Sequence, residues 1–517
     1  MNNLKKLISV SLSSLTILTL GFSSINAMNN DYQRGVTVTE NNESQYAGDF
    51  NLEFVYEDID TRDAVKVEVI GNFQWFSNDD PVVQNYVTEC TKGEKGSIAS
   101  LDGLTAYDAW NYSDGMYTST AVTKAYEMTE VENEIFTLTI PVPGNLYYYD
   151  YKVTYDDGSI VTMQDPANPS PVNEKNGHSA GHSIIYVGDK NNTTISQNYI
   201  YARNDNKIGT VTYVPYTSNK NTTEYVGVYL PKGYDKSKTY KTIYVSHGGM
   251  GNEVEWMTIG ALPNIMDNLI AENEIYENTI VVTMDNSAWM PENFDTSVKY
   301  QFGENLMPSY GVLWDGEAAC DNLINNIIPM IEKNYSVSQE AKDRAMCGLS
   351  WGAYTTSYMM WYHTDLMKYY GIFSNGMYAS TNEPKSFKDK VIYITAGNLD
   401  SALNGAYKLA DHLKNFKNNY NVDFDVNYNI DYQYGSHCWQ TWRSAFTTFA
   451  KDYLWDIDNN TQNNEENISS SINDNGGSNQ KTKSVKTGDT SDSIIYVALS
   501  SIALLIYFVI KNRHCTN

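Results

Sequence analysis

The sequence predicts two folded regions in series: an all-β sandwich, followed by an α/β domain with a mostly parallel, doubly wound sheet. The evidence is a change of hydrophobic pattern along the chain. From about residue 49 to 190, apolar residues recur at every second position, which is typical of strands with one buried face. From about 208 to 457, short apolar runs alternate with helical patterns, which indicates parallel strands covered by helices on both faces.

The first region contains several short strands with no helical pattern between them. Asp157 and Gly158 supply a hairpin turn, because an Asp-Gly pair accepts the positive φ angles of tight hairpins. Short alternating strands joined in this way predict a small sandwich over 49–190. The alternating residues are Leu52, Phe54 and Tyr56; Val65, Val67 and Val69; Phe136, Leu138 and Ile140; and Tyr147, Tyr149, Tyr151 and Val153.

Three short runs in this region, 70–75, 144–149 and 165–169, carry a resemblance. They resemble the early-set immunoglobulin-like domains that precede catalytic domains in glycan-active enzymes, in the style of glycogen-binding modules. The resemblance implies a domain that frames a substrate or binds glycan. Trp75 and the tyrosines could stack on sugar rings, but alternating tyrosines are more typical of one face of a core.

The second region contains strand-like apolar runs at 242–245, 280–284, 345–349, 391–395 and 424–428. A helix before the third run has apolar residues along one face, and we expect Pro329 to bend it. Those residues are Cys320, Leu323, Ile324, Ile327, Ile328 and Ile331. The polar segments outside the two regions are interpreted as a flexible start, 28–48, and a linker, 191–207.

Residues 1–27 have the pattern of a secretory signal peptide. Lys5 and Lys6 precede an apolar stretch that is too short and too often interrupted by serine and threonine to favour a membrane helix, and small residues lead up to Ala27. We therefore expect export with cleavage after Ala27.

The other end of the chain predicts attachment to the cell surface. A polar tether, 458–486, leads to an apolar segment, 494–510, that is followed by Lys511 and Arg513. The arrangement of 484–517 resembles the cell-wall sorting signals of Gram-positive bacteria. The resemblance implies a transmembrane segment at 494–510, cleavage by a sortase between Thr487 and Gly488, attachment to peptidoglycan and an extracellular location. A plain tail anchor is the alternative, because Ser484 and Val485 stand where Leu-Pro is commonest.

Charge and cysteine content limit the classes of ligand. With 62 acidic against 36 basic residues, the formal net charge is −26, which argues against nucleic acid and anionic wall polymers and favours neutral substrates. The five cysteines are too scattered for a disulfide framework or a metal site, although a bond between Cys347 and Cys438 stays open. No metal or organic cofactor is implied.

Residues 344–353 contain the pattern GxSxG around Ser350. Small residues on both sides let a strand turn sharply into a helix, so that the serine hydroxyl stands clear of the sheet. Such a serine needs a base that is itself oriented by an acid. His437 lies on a loop before a helix, whereas His363 and His412 fit helix faces. Asp400 follows a strand that runs into a turn.

Asp389, Asp423 and Asp425 fit surface positions better than Asp400 does. We therefore predict a catalytic triad of Ser350, His437 and Asp400, in the chain order serine, acid, histidine.

An oxyanion hole is also expected, with backbone N–H groups of Trp351 and Gly249 as donors. Gly249 belongs to a glycine-rich turn after an early strand, in which His247 is interpreted as structural. Trp289 and Trp314 are candidates either for the substrate cleft or for the core.

Together these motifs resemble the esterase D group of α/β-hydrolases, specifically the carbohydrate esterases that include feruloyl and acetylxylan esterases. The resemblance rests on 228–234, 247–249, 328–329, 331–335, 344–352, 397–400 and 435–437 with Trp439 and Trp442. It departs from the common form at Met250 and at Trp351, where Met or Gln is frequent.

The resemblance implies a serine esterase that removes feruloyl or acetyl groups from plant polysaccharide such as xylan. Two alternatives remain. One is a siderophore esterase of the enterochelin type, and the other is a non-catalytic surface glycan-binding protein.

Overall fold

The structure is a computed structural model that describes residues 32–41, 50–71, 125–132, 134–142, 144–188, 198–249, 251–285, 299–302, 305–308, 316–374, 384–397, 400, 402–432 and 437–455. The predicted signal peptide, tether and sorting signal, with Thr487 and Gly488, lie outside these ranges. So do Trp75, Trp289 and Trp314. None of the helices within the ranges combines the length and apolarity that a membrane crossing needs.

The N-terminal region forms two antiparallel sheets that face each other across one core. Strand order is β1-β2-β6-β5 in one sheet and β4-β3-β7-β8 in the other, where β9 also pairs with β7. The strands are β1 (Gly35–Glu40), β2 (Phe50–Glu57), β3 (Ala64–Gly71), β4 (Ala125–Glu127), β5 (Thr129–Glu132), β6 (Ile135–Val142), β7 (Asn145–Tyr155), β8 (Ile160–Met163) and β9 (Ser183–Val187). The Asp157-Gly158 turn joins β7 to β8, with Gly158 at φ 80°.

The alternating tyrosines of β7 belong to the core. Tyr147, Tyr149 and Tyr151 are all fully buried, and Phe54 of β2 packs edge-on against Tyr149 at 5.1 Å between ring centroids. The hydroxyl of Tyr149 donates a 2.7 Å hydrogen bond to Asp165. Burial and the nearby charge of Asp165 raise the pKa of this phenol well above its usual range. These side chains therefore fill the sandwich and are not a platform for sugar rings.

Two segments that the sequence predicts to be irregular are ordered by tertiary contacts. Residues 35–40, within the predicted flexible start, form β1 and pair with residues 50–55 of β2, where Val38 faces Leu52. Residues 198–207, within the predicted linker, pack on the α/β domain: Ile200 is buried, and Asn268 donates to the carbonyls of Tyr199 and Tyr201. These contacts could not be predicted, because a polar composition does not show which backbone groups have a partner.

The second region is built on an eight-stranded sheet with order β10-β11-β13-β12-β16-β17-β18-β19. The strand β11 runs antiparallel to both neighbours, and the sheet is parallel from β13 through β12 to β19. The strands are β10 (Thr210–Thr217), β11 (Thr223–Leu230), β12 (Lys241–Ser246), β13 (Thr279–Met284), β16 (Arg344–Leu349), β17 (Tyr369–Phe373), β18 (Val391–Gly397) and β19 (Asp425–Tyr432); β14 (Lys299–Phe302) and β15 (Asn305–Pro308) form a separate hairpin. In order of appearance the eight strands read 1-2-4-3-5-6-7-8, the order of the α/β-hydrolase fold.

Helices cover both faces of this sheet. They are α1 (Leu262–Ala271), α2 (Gly316–Asn322), α3 (Ile328–Asn334), α4 (Trp351–Tyr362), α5 (Leu403–Tyr420) and α6 (Trp439–Thr448). Successive residues of a strand point to opposite faces, so Met346 of β16 packs in the layer of α2 to α5, whereas Ala345 and Cys347 pack in the layer of α1 and α6. The doubly wound architecture that the sequence predicts is present.

The predicted helix over 320–331 changes geometry ahead of Pro329. Residues Leu323–Ile327 are π-helical and connect α2 to α3, at whose first turn Pro329 lies. Proline has no N–H to donate to the preceding turn, and a π-turn is a local way to shift the hydrogen-bond register.

A buried arginine joins the sandwich to the α/β domain. Arg443 of α6 is 1% exposed and donates to the carbonyl of Ile259 at 2.8 Å and to Oδ1 of Asn145, the first residue of β7, at 3.3 Å. Burial lowers its pKa, since a desolvated guanidinium is less stable than one in water. Leu146 and Tyr148 of β7 pack in the same layer as α6. Around Arg443 the seam between the two regions therefore combines apolar side chains with a buried cation.

We predict that Arg443→Ala lowers the free energy of unfolding by about 3 kcal/mol, because the change leaves a cavity and two buried acceptors without a donor. Urea unfolding followed by tryptophan fluorescence measures the effect. Lys451→Ala is the control, since Lys451 forms a partly exposed ion pair with Glu274, and we expect it to cost less than about 1 kcal/mol. Equal small losses in the two variants would contradict the role of Arg443 at the seam.

Candidate active site

Ser350 lies on the sharp turn between β16 and α4. Its backbone has φ 51° and ψ −111°, a strained conformation for a residue with a side chain. The turn is held by the N–H of Ser350, which donates to the carbonyl of Phe373 at 2.9 Å. The hydroxyl is therefore fixed at the carboxyl edge of the sheet.

Two glycines make this turn possible. A Cβ atom added to Gly348 would lie 2.4 Å from the carbonyl oxygen of Gly352, and one added to Gly352 would lie 2.5 Å from the carbonyl oxygens of Ser246 and His247. These contacts are with backbone, which cannot move aside cheaply. The GxSxG pattern thus reflects close packing of α4 against the end of β12.

Ser350, His437 and Asp400 are brought together, as the sequence predicts. Nε2 of His437 lies 3.1 Å from Oγ of Ser350, and its Nδ1 lies 2.9 Å from Oδ1 of Asp400. Asp400 follows β18, and His437 lies two residues before Trp439, the first residue of α6. Three residues far apart in the chain thus form one hydrogen-bonded series at the sheet edge.

The carboxylate of Asp400 is buried and accepts several hydrogen bonds. Burial by itself disfavours its charge, but the charge and hydrogen bond of His437, the hydroxyl of Ser374 at 2.6 Å and the N–H of Ala402 at 2.7 Å outweigh it. The net result is a pKa below the usual value for aspartate. Asp400 is therefore ionised at neutral pH and can stabilise a positive charge on His437.

Ser374 has a role in the site that the sequence does not indicate. This residue follows β17 with φ 57° and is fully buried; its hydroxyl donates to Oδ2 of Asp400 and accepts from the indole N–H of Trp442 at 2.8 Å. The Trp442 ring also stands edge-on to His437, with 5.0 Å between centroids. The one sequence signal was a serine just after an apolar run, 369–373, that was not recognised as a strand.

Gly249 and Trp351, the predicted oxyanion donors, lie next to each other. A Cβ atom on Gly249 would lie 2.8 Å from the Trp351 indole, and one on the preceding Gly248 would lie 3.5 Å from Cβ of Ser350. The glycine turn therefore runs beside the nucleophile candidate, with the indole packed over it. Trp351 is the first residue of α4, where backbone N–H groups lack an intrahelical acceptor.

The remaining candidates have structural surroundings. His247 is buried, with Nδ1 2.6 Å from the carbonyl oxygen of Gly248 and Nε2 3.5 Å from Asp285. His412 lies on α5, as the sequence predicts. His363 was predicted to lie on a helix face, but it is the first residue after α4. Asp389, Asp423 and Asp425 are exposed. Cys320, Cys347 and Cys438 are buried free thiols, so Cys347 and Cys438 are not bonded.

A serine, an imidazole and a buried carboxylate in hydrogen-bond contact can activate a hydroxyl for attack on an acyl carbon.

Separate from this series, His178, Glu253 and Asp285 bring three ligand-type atoms within 4.8 Å of one another. Among the described residues, these three are the candidates for holding a metal ion.

Comparison with known proteins agrees with this chemistry. Residues 218–453 match the family model described as Putative esterase. The chain is 27% identical over 293 residues to an endo-1,4-beta-xylanase/feruloyl esterase of Xylanibacter ruminicola, an alignment that covers 55% of this chain and 36% of the relative. The matched part thus spans about a third of the length of that relative.

Solved structures of esterases are also similar. A CE1 ferulic acid esterase from Anaeromyces mucronatus, in complex with ferulic acid, shares 23% identity, with 49% of this chain and 94% of that chain covered and a TM-score of 0.40. The enterobactin esterase of Shigella flexneri shares 11% identity over 81% of this chain and 96% of that chain, with a TM-score of 0.45. The family match and the relative thus show that residues 218–453 are similar to esterases.

Proposed function

We propose that the protein is a secreted, surface-held serine esterase that removes feruloyl or acetyl groups from plant polysaccharide such as xylan. The observation that carries the proposal is the hydrogen-bonded series from Ser350 through His437 to Asp400. The name of the Xylanibacter ruminicola relative, endo-1,4-beta-xylanase/feruloyl esterase, supports the substrate class. Export and attachment rest on the sequence signals at the two ends of the chain.

The proposed reaction proceeds through an acyl-enzyme. Oγ of Ser350 attacks the ester carbonyl while Nε2 of His437 accepts its proton and returns it to the leaving alcohol. Asp400 holds the imidazole through Nδ1 and stabilises the imidazolium. Water, activated in the same way by His437, then releases the acid and restores Ser350. In this scheme no step requires a cofactor.

The negative oxygen of the tetrahedral intermediate needs donors beside Ser350. We assign this role to the backbone N–H groups of Trp351 and Gly249, each contributing on the order of 3 kcal/mol. The support is the position of the two residues: α4 begins at Trp351, and the glycine turn packs against its indole. The indole then forms one wall of the space next to the nucleophile, so it influences which acyl groups fit.

The acidic composition suits this substrate class. A chain with net charge −26 repels polyanions, whereas xylan esters are neutral at the acyl bond. The free acid that is produced carries a negative charge, which favours its release from an acidic protein.

Ser350→Ala should abolish ester hydrolysis, with kcat lower by roughly 10⁶, because no other group replaces the nucleophile. The measurement is release of p-nitrophenol from its acetate, of ferulate from methyl ferulate, and of acyl groups from acetylated and feruloylated xylo-oligosaccharides. Circular dichroism spectra matched to the wild type control for folding.

Hydrolysis that survives in Ser350→Ala would overturn the assignment of the nucleophile. A catecholate ester of serine belongs in the same panel. A preference for it over the xylo-oligosaccharides by the wild type would favour the siderophore alternative over a polysaccharide substrate.

Ser374→Gly should lower kcat roughly tenfold to a hundredfold, because Asp400 loses a hydrogen bond that holds its carboxylate in line with Nδ1 of His437, and misalignment of catalytic groups slows the reaction. Glycine accepts the φ of 57° without strain, so the change tests the hydroxyl and not the backbone. With one donor fewer, Asp400 favours the imidazolium more, and the acid limb of kcat/KM moves to higher pH. A matched control is Ser386→Gly, since Ser386 also has a hydroxyl in contact with a side chain, Thr364, on a different segment. Unchanged kcat and pH profile in Ser374→Gly would contradict the role.

Gly249→Ala should lower kcat by about 10² with little effect on KM, because the new Cβ displaces the turn from the Trp351 indole and misaligns a donor. In the double variant Gly249→Ala/Trp351→Met, the narrower methionine side chain replaces the indole. This makes room for the new methyl group and should restore part of the rate. Steady-state hydrolysis of p-nitrophenyl acetate measures both. A double variant no faster than Gly249→Ala would show that the indole is not what the methyl group meets.

A further inference from the structure

Three side chains from three segments meet at the seam between the sandwich and the α/β domain. His178 ends a small hairpin between β8 and β9, in which its carbonyl accepts from the N–H of Asn173. Glu253 follows the glycine-rich turn that precedes α1, and Asp285 directly follows β13. The segments are distant in sequence, so the fold alone brings them together.

The distances are those of a ligand set. Nδ1 of His178 lies 2.8 Å from Oε2 of Glu253 and 3.7 Å from Oδ2 of Asp285. These atoms all lie within 4.8 Å of one another. A tetrahedral ion with bonds of about 2.0–2.2 Å needs ligand atoms roughly 3.3 Å apart, which lies between the two distances.

Other groups orient the carboxylate of Glu253 for this purpose. Its Oε1 accepts from the side-chain amides of Asn173, at 2.8 Å, and Asn176, at 2.9 Å, so Oε2 is the atom directed to His178. Glu253 is fully buried, and within the described residues no lysine or arginine contacts it. Neutral amides hold its position without neutralising its charge.

Asp285 is oriented in a similar way. It is almost fully buried, and its Oδ1 lies 3.5 Å from Nε2 of His247 while Oδ2 faces His178. One oxygen of each carboxylate thus contacts a supporting group and the other faces the imidazole. Metal ligands are typically supported by an outer shell of this kind.

We propose that His178, Glu253 and Asp285 bind one divalent metal ion, with zinc as the ion that the donor set favours. One imidazole nitrogen and two carboxylate oxygens are common zinc ligands, whereas calcium prefers oxygen ligands alone. The side chain of His178 is 37% exposed, which leaves access for the ion and for a water as fourth ligand. Two buried negative charges supply the attraction.

The site is structural in its consequences and lies outside the hydrogen-bonded series of Ser350, His437 and Asp400. It would fasten the 173–178 hairpin of the N-terminal region to β13, and through Asp285 to His247, the residue before Gly248 and Gly249. Loss of the ion therefore weakens this contact between the two regions, whereas the contacts of Arg443 remain.

The test is metal binding by the full-length, untagged chain. After treatment with a chelator and dialysis, zinc is added in slight excess, unbound ion is removed, and the content is measured by inductively coupled plasma mass spectrometry. We expect about one zinc per chain and a rise of several degrees in the unfolding temperature. In His178→Ala and in Asp285→Asn both effects should be lost.

His182→Ala is the matched control, because His182 lies on the same segment, is 34% exposed, and contacts a carboxylate, Asp150, at 2.6 Å. It should retain the zinc and the thermal shift. Wild-type protein without stoichiometric zinc, or zinc retained at full occupancy in His178→Ala, would overturn the proposal and leave a hydrogen bond between His178 and Glu253 in its place. Neither outcome affects the assignment of Ser350, so failure here is distinct from failure of the esterase proposal.

Discussion

The close approach of α4 to the end of β12 is the constraint on which the rest of the site depends. Gly352 touches the carbonyls of Ser246 and His247, and this contact leaves no room for a side chain. It forces Ser350 into a strained backbone conformation and at the same time places the glycine turn after β12 beside it. The strain is tolerated because the sheet and α4, both buried, hold the turn from two sides. One backbone contact thus positions both the hydroxyl and the candidate oxyanion donors.

A second constraint is that the buried carboxylate of Asp400 must remain ionised. Burial alone would raise its pKa, but the hydrogen-bond donors His437, Ser374 and Ala402 lower it below the usual value for aspartate. Two of the three are fixed by elements other than the loop of Asp400: Ser374 by β17, and His437 by the start of α6. Because Trp442 of α6 donates to Ser374, the helix that follows the histidine also holds the acid. The alignment is therefore shared between neighbouring strands and is not a property of one loop.

The sequence was sufficient to predict site residues that a local pattern marks. It was insufficient for residues whose role depends on partners that are distant in the chain. The proximity of Ser350, Asp400 and His437 could be predicted because Ser350 and Asp400 follow apolar runs and His437 lies on a loop before a helix, and parallel strands bring their carboxyl ends to one edge. The role of Ser374 could not, because a serine after a strand is common and its importance arises from a side chain 26 residues away. For the same reason β1 and the ordered residues 198–207 were missed: their polar sequences are stabilised by partners that composition does not reveal. The cluster of His178, Glu253 and Asp285 has no regular spacing, so no metal-binding pattern indicated it.

The helix α6 connects the reaction centre to the N-terminal region within two consecutive residues. Trp442 faces Ser374 and His437, and Arg443, its neighbour, faces Asn145 of the sandwich. Successive residues of a helix point about 100° apart around its axis. Both contacts can therefore form together only at one rotation of α6 about that axis. The contact of Arg443 with the sandwich and the contact of Trp442 with Ser374 therefore require the same rotation of α6. The N-terminal region thus contacts the same helix whose indole donates to Ser374.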